Sequence, residues 1–591
     1  MKRCCPGGRA PGRIGRLTRV ARLARRLAVG LVTAVPAGAQ VWEVDDLFVV
    51  PTGLSAGSEF GRAVAVGDLD GDGLDDLVAG ALGHLSSRGA FAIALGDAER
   101  TPPSTLFGAF GDHPSEWLGY ALALGDFDGD GLDEIAVGAP GRELVVGGQT
   151  AAFAGAVRIY SWNGSLVLDQ TLTQLVTIDP PESADLFGSR LATGDLNDDG
   201  FDDLAVSVPG EDYTFLKTIF LDAGVVQVFF GSAQGLRTDN ETTLAQGFEG
   251  IAGPPGTGDQ FGRALAVGDF DHDGFDDLAI GAPYRDVGAA GNGAGRVHVV
   301  YGGVGGPQGA GSQVLVDSLL GSAAEADENF GASLAAGRFD ETRFACFTGC
   351  YSDLAIGVPG QTVNVGADAG KVVVVYGSPS GVSVVGATTL TQFDASTLPE
   401  AGDRFGDSLA AGHLDRRPNL LFDLEDLVVG APGEDVDGVV DAGMAHLFFG
   451  STDGIGQGPL AAQNLVARPG LGSGPAQGAA DFGQSLAVGD LDGDGWGDLL
   501  IGVPRQDQPA TSNLGGVQGL YGALFADGFE SGGSAFWSGG APARPRGTRR
   551  RPRRRPERRP RMLPVTCGAE SAHGQVCGTF AGAHSGNQEI R

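Results

Sequence analysis

Phe261-Gly262-Arg263-Ala264-Leu265-Ala266-Val267-Gly268-Asp269-Phe270-Asp271-His272-Asp273-Gly274-Phe275-Asp276-Asp277-Leu278-Ala279-Ile280-Gly281-Ala282-Pro283 is the stretch whose reading decides the architecture. Two short apolar runs, 264–268 and 277–281, flank an acidic loop of nine residues. Runs this brief, bounded by Gly and Asp, read as a hairpin and not as a helix. A Val-rich third run follows at 295–302, and a more variable fourth stretch leads into the next Phe-Gly pair.

The unit recurs. Phe-Gly or its variant stands at Phe60-Gly61, Leu118-Gly119, Phe187-Gly188, Phe261-Gly262, Phe330-Gly331, Phe405-Gly406 and Phe482-Gly483, with 58 to 77 residues between successive glycines. The second landmark is Gly138-Ala139-Pro140, Gly281-Ala282-Pro283 and Gly430-Ala431-Pro432. Its variants are Gly80-Ala81-Leu82, Ser207-Val208-Pro209, Gly357-Val358-Pro359 and Gly502-Val503-Pro504. Four strands per unit and seven units predict an all-β, seven-bladed β-propeller of four-stranded blades over residues 40–526. The last unit lacks a fourth strand, while 41–50 is an orphan strand ahead of the first Phe-Gly. Pairing the two closes the ring and removes the open edges that a solenoid would expose.

Composition agrees. Of 591 residues, 101 are Gly and 31 Pro, yet 42% are hydrophobic and only 19% charged. That is too apolar for a disordered polymer and suits many short strands joined by tight turns. Residues 40–541 carry 19 basic and 70 acidic side chains, a net of −51. Such a field excludes nucleic acid as a partner of the folded body and favours cations.

Both ends depart from this pattern. Residues 1–39 run from Arg-rich sequence through an apolar stretch at 27–35 to Ala37-Gly38-Ala39, the order of a secretory signal cleaved before Gln40. Export to the cell surface or beyond is the expectation, and no segment is long and apolar enough to span a bilayer. Residues 527–541 form a short motif resembling those at the ends of exported bacterial proteins. An Arg/Pro-rich, disordered tail follows at 542–591; it either docks on anionic surfaces or is an out-of-frame extension. Export permits Cys346 and Cys350 to pair as a disulfide. The alternative is two free thiols, because no second ligand pair is nearby for zinc.

Five loops share the pattern Asp-x-Asp/Asn-x-Asp-Gly-x-x-Asp/Glu. Their candidate metal ligands are Asp68, Asp70, Asp72, Leu74 and Asp76; Asp126, Asp128, Asp130, Leu132 and Glu134; and Asp195, Asn197, Asp199, Phe201 and Asp203. The fourth unit offers Asp269, Asp271, Asp273, Phe275 and Asp277, and the seventh Asp490, Asp492, Asp494, Trp496 and Asp498. Side chains at positions 1, 3, 5 and 9, with the backbone carbonyl of position 7, make an all-oxygen shell suited to Ca²⁺. Glycine at position 6 permits the sharp turn. An EF-hand is excluded, because position 12 is Ala79, Val137, Val206, Ile280 or Ile501 inside a strand. Arg338 and His413 replace the first acid in the fifth and sixth units, whose loops are longer, so those blades are expected to be metal-free.

These residues resemble the FG-GAP repeat of the integrin alpha-subunit propeller and of exported bacterial proteins built from it. The resemblance covers about 41–526 and implies a propeller with calcium in loops on one face, about five ions here. It implies a secreted or surface binding and adhesion module for a surface protein or polysaccharide of unknown identity; the body is expected to be monomeric. The rivals are a carbohydrate-active, lyase-like propeller enzyme and an exported structural protein with no dedicated ligand. No His-Glu-x-x-His or phosphate-binding glycine motif occurs. His298 and His446 fall on third strands as packing positions, and no catalytic residue is assigned. The expectation is therefore a non-enzymatic protein.

Overall fold

Short apolar runs and glycine turns build seven antiparallel four-stranded sheets, in which successive strands of a unit lie side by side. The computed structural model describes residues 47–521 except 99–106, 176–179, 249, 288–292, 322–324, 341–350, 365, 416–423, 459, 467–477 and 508–511. All described residues belong to one compact unit, Met1–Gly528. The leader, the 527–541 motif, the Arg-rich tail and the Cys346/Cys350 pair lie outside the described residues.

The fourth blade shows the common plan. Its strands are Ala264–Gly268, Asp277–Ala282, Arg296–Tyr301 and Gln308–Leu315. The first two pair from Gly268↔Asp277 to Ala264↔Gly281, which places the acidic loop at one end and Phe-Gly at the other. Antiparallel order then puts the Gly-Ala-Pro corner at the Phe-Gly end too. Second strands such as Asp277–Ala282 are buried at every residue because neighbouring blades cover both faces.

First strands line the axis. Phe60–Gly67 touches Leu122–Gly125 of the second blade and Leu486–Gly489 of the seventh, and the same contact repeats around the circle. The predicted closure is present: Leu47–Val49 pairs antiparallel with Val517–Leu520, in register Leu47↔Gly519 and Val49↔Val517. The seventh sheet is thus completed by the beginning of the chain.

The core lies between blades. Each of seven large apolar clusters draws on two adjacent blades, such as Val297, Val299 and Phe330 with Ile356 and Val373. The aromatic of Phe-Gly sits in these seams, with Phe187, Phe261, Phe330, Phe405 and Phe482 at 0% exposure.

The paired glycines have a steric cause. A Cβ on Gly281 would stand 2.2 Å from the Gly331 carbonyl oxygen of the next blade. The same approach joins Gly138 to Gly188 (2.2 Å), Gly357 to Gly406 (2.1 Å), Gly430 to Gly483 (2.2 Å) and Gly502 to Gly61 (2.1 Å). The Gly of Gly-Ala-Pro is therefore the site where one blade's backbone meets the next. Ser207 is the departure: its hydroxyl accepts the Arg190 N–H at 2.8 Å.

Two features were not legible in the repeat. Extra hairpins, Leu144–Val146 with Gln149–Ala151 and Tyr213–Phe215 with Thr218–Phe220, project from the Gly-Ala-Pro end of blades two and three. They carry exposed Val145, Leu216 and Ile219.

Candidate metal centres

Each acidic loop is a closed net of backbone-to-carboxylate hydrogen bonds. The position-6 glycine N–H donates to the position-1 carboxylate at 3.0 Å in the first and second loops, 2.8 Å in the third, 3.2 Å in the fourth and 2.9 Å in the seventh. The position-7 N–H donates to the position-5 carboxylate, as from Leu74 to Asp72 at 2.9 Å and from Trp496 to Asp494 at 3.1 Å. The turn requires left-handed backbone at position 6, where φ is +84° to +94° at Gly73, Gly131, Gly200, Gly274 and Gly495. That is why glycine stands there.

Four loops bring three carboxylates together, with one oxygen of each within 4.8 Å of the others. The trios are Asp68/Asp70/Asp76, Asp126/Asp128/Glu134, Asp269/Asp271/Asp273 and Asp490/Asp492/Asp498. Position 5 joins only in the fourth loop, where Asp273 takes the place of Asp277. In the third loop the Asn197 amide donates to Asp203 at 3.3 Å, so a ligand role there needs its oxygen turned inward.

The position-9 acid has a second duty. Its carboxylate accepts the position-2 N–H and a glycine N–H from the turn after the third strand. For Asp277 these are Phe270 at 2.8 Å and Gly302 at 2.9 Å. Asp353 and Asp426 make the same pair of bonds in blades five and six, whose loops begin with Arg338 and His413. The position-2 bond is made in all seven units and the glycine bond, among the described residues, in blades one and three to six, so position 9 ties the blade together beyond any role at an ion.

The electrostatics suit a cation. Burial pushes the Asp76 carboxyl up to about 7, with Asp70 and Asp72 adding to it against N–H donations from Gly96 and Leu69. Glu134, Asp203 and Asp277 are each raised to about 8, first by burial and then by the other loop acids. Asp271 Oδ1 is buried with no hydrogen-bond partner. Crowded carboxylates with an orphaned oxygen are what a hard divalent ion would satisfy, so the residues present fit the group.

Position 8 was missed by the sequence pattern, which leaves it free. Asp133 Oδ2 accepts the N–H of Asp68 in the preceding blade at 3.0 Å, and the Asp133 N–H returns a bond to the Asp68 carbonyl at 3.1 Å. Asp202 does this with Asp126, Asp276 with Asp195, Glu425 with Arg338 and Asp75 with Asp490. At the remaining two seams Ser352 and Gly497 keep only the backbone half. The belt runs round all seven seams, including the one that joins the chain's two ends. Asp at position 8 in four of the five regular loops was the available signal.

A second overlooked set lies two residues before the aromatic. Glu116, Asp185, Asp259, Glu328 and Asp403 are buried, and each accepts a backbone N–H from three residues upstream. Some also hold cations: Glu116 takes Arg142 and Arg158, and Asp259 takes Arg285. His298 and His446 pack at 5.2 Å against Phe261 and Phe405, as expected of third-strand residues. His413 faces Glu425 at 3.6 Å.

Fold and loops together define a closed propeller of repeated hairpins with acidic tips at one end. Five stretches, 60–93, 118–160, 187–229, 261–300 and 482–519, match the FG-GAP repeat family, and these are the five blades with regular acidic loops. The chain carries FG-GAP repeats in these five blades and is similar in sequence to integrin alpha subunits. It is 36% identical to integrin alpha-PS5 of Drosophila melanogaster over 176 residues, 29% of this chain and 16% of that protein. It is 29% identical to integrin alpha-V of Gallus gallus over 240 residues, 38% of this chain and 20% of that protein. The matches thus span a fifth or less of those relatives. Among solved structures, the exotype rhamnogalacturonan lyase YesX aligns at TM-score 0.41 and 13% identity, over 82% of this chain and 77% of that one. A superposition of that quality carries no functional argument.

Proposed function

We propose that this chain is an exported, calcium-stabilised binding module that recognises a surface protein or polysaccharide and has no enzymatic activity of its own. The observation carrying this reading is the convergence of three carboxylates in each of four loops, all at the same end of the ring. Positions 1, 3, 5 and 9, with the position-7 carbonyl, would hold the ion. Bound there, calcium supplies charge neutralisation and pins first and second strands together, so that its binding free energy becomes folding free energy. Relief of repulsion matters in a body of net −51. The FG-GAP repeats support the reading by kinship; fold by itself does not establish a ligand.

Native mass spectrometry with and without chelator tests it. Five ions are expected in the folded body, and a chelator should lower the melting temperature markedly. Unchanged stability after complete chelation would remove the basis of the reading. Incubation with acidic and neutral polysaccharides should yield no new unsaturated or reducing ends; turnover would reassign the chain to the enzymes.

A further inference from the structure

At the end of the axis opposite the acidic loops, blades one, three and four gather basic side chains, while blade six places Asp407, which accepts from Gln484 at 3.0 Å and lies 4.0 Å from Arg404. The residue after each Phe-Gly glycine, or one further, begins a first strand at the axis. Blades one, three and four place Arg62, Arg190 and Arg263 there, and blade two places Tyr120. Tyr120 lies beside Arg190 and Arg263, whose charges both act on its phenol. Blades two and four are not neighbours, so this convergence occurs across the axis. The Arg190 Cζ lies 5.8 Å from the Tyr120 ring centroid. Arg263 also lies beside Tyr284, an aromatic that is 42% exposed.

Several cations elsewhere at this end are paired, whereas Arg296 keeps buried guanidinium nitrogens without a hydrogen-bond partner. Arg142 and Arg158 pair with Glu116, Arg285 with Asp259 and Arg505 with Asp481, and Lys371 with Asp317. Among the described residues no carboxylate stands within 4.0 Å of Arg62, Arg190 or Arg263. Burial, then the charges of Arg263 and Arg62, pushes the Arg190 guanidinium down from its ordinary range. Arg190 is half-buried. Three guanidinia with no carboxylate at ion-pair distance, of which Arg62 acts on Asp481 only through space, leave a place for an anion from outside.

We propose that this end of the axis is an oxyanion site for a uronate saccharide, with its carboxylate on Arg62, Arg190 and Arg263 and its sugar face on the neighbouring aromatics. Guanidinium planes hold a carboxylate through paired, charge-assisted hydrogen bonds. The aromatic surface is continuous beside them: Trp117 stacks on Tyr120 at 6.3 Å and meets Phe153 at 5.2 Å. Flat aromatic faces next to convergent donors are the makings of a site for an amphipathic ring. A peptide carboxylate would use the guanidinia but leave the aromatic surface without a matching partner. This inference deepens the binding reading above by naming a face and a ligand chemistry, and it does not depend on how many ions the loops hold.

Tyr120 supplies a built-in reporter. Burial pushes its phenol up, but the Arg190 and Arg263 charges overcome this and bring it down to about 8. A carboxylate on the same guanidinia cancels that field, so the phenol should return toward its ordinary value of about 10.

The test uses the full chain saturated with calcium, titrated calorimetrically with β-1,4-linked oligoglucuronate. The neutral glucose oligomer of the same linkage and polyglutamate are the comparators. Binding of the oligoglucuronate, weakened by salt, is expected, with neither comparator bound comparably. Arg190→Gln and Arg263→Gln should each weaken it roughly tenfold or more, the scale of a lost charged hydrogen bond. Tyrosinate absorbance of the unsubstituted protein should titrate near 8 alone and higher with saturating ligand, a readout that needs no variant to fold. Equal affinity for the neutral oligomer, tighter binding of polyglutamate, or no binding together with an unmoved tyrosinate midpoint would each overturn the proposal. A protein that keeps its chelator-sensitive melting but binds no uronate loses only this inference; one insensitive to chelator that binds uronate loses only the calcium reading.

Discussion

At the scale of single residues, two glycines of one blade answer to different constraints. Gly281 lacks room, since its Cβ would meet Gly331 O at 2.2 Å, whereas Gly274 has open space around it but φ at +93°. Gly281→Ala should cost about 1–3 kcal/mol by forcing two blades apart. Gly274→Ala should cost about 1–2 kcal/mol through backbone strain alone. Urea midpoints of the calcium-loaded protein measure both, and an innocuous Gly281→Ala would contradict the close approach. The sequence displayed both glycines as landmarks, but only the neighbouring blade explains the first. His298 offers a pH test at the same scale. Burial, then Arg296 and Arg285, lowers its pKa to about 3, while the unfolded chain titrates near 6.5. A depressed value means the neutral ring stabilises above about 6.5, and that contribution is lost as pH falls toward the folded value. Denaturant midpoints of His298→Phe should therefore decline less in acid than those of the unsubstituted protein.

The hairpin is the element at which calcium would act, and its pH response has a definite sign. Without calcium, Asp76 at about 7 and Glu134, Asp203 and Asp277 at about 8 are raised above ordinary carboxyl values. Raised acids favour the folded state most below their unfolded pKa, about 4, and that support fades as pH climbs to about 8. Chelated protein should thus lose melting temperature from pH 5 to 8. Calcium-loaded protein should gain it, because the ion binds the deprotonated carboxylates. Differential scanning calorimetry across that range, with and without chelator, checks the divergence; parallel curves would contradict it. The loop pattern itself was readable, as was its failure at Arg338 and His413. What the pattern hid was the division of labour inside it. Position 9 reads as a ligand, yet Asp353 and Asp426 show it clamping blades whose loops lack the first acid. Position 8 reads as filler because its partner, the position-1 backbone of another blade, lies 65 residues away for Asp133 and Asp68.

At the scale of the whole molecule, three residue pairs between Leu47–Val49 and Val517–Leu520 complete the seventh blade, beside the Asp75–Asp490 bonds of the same seam. Removing residues 40–49 should bare the edge of Val517–Leu520 and promote self-association through it. Sedimentation velocity should show dimers or larger species; a well-behaved monomer would argue that closure needs no such strand. Ring architecture was legible because each unit repeats the same count of strands. The hairpins at Leu144–Ala151 and Tyr213–Phe220 were not, since they occupy connections that differ from unit to unit and leave no periodic trace.

The belt of position-1 and position-8 bonds adds a directional consequence. Regular acidic loops occupy blades seven, one, two, three and four, an unbroken arc, and the Asp490–Asp75 bond at the junction of the chain's ends falls within it. Blade five is joined to blade six by the Arg338–Glu425 bonds, and blade six to blade seven by the Gly497 N–H on the His413 carbonyl, at loops that lack the first acid. With calcium as the proposed occupant, scarcity of the ion loosens the molecule first at its clasp, while the two ion-independent blades stay joined as a hinge.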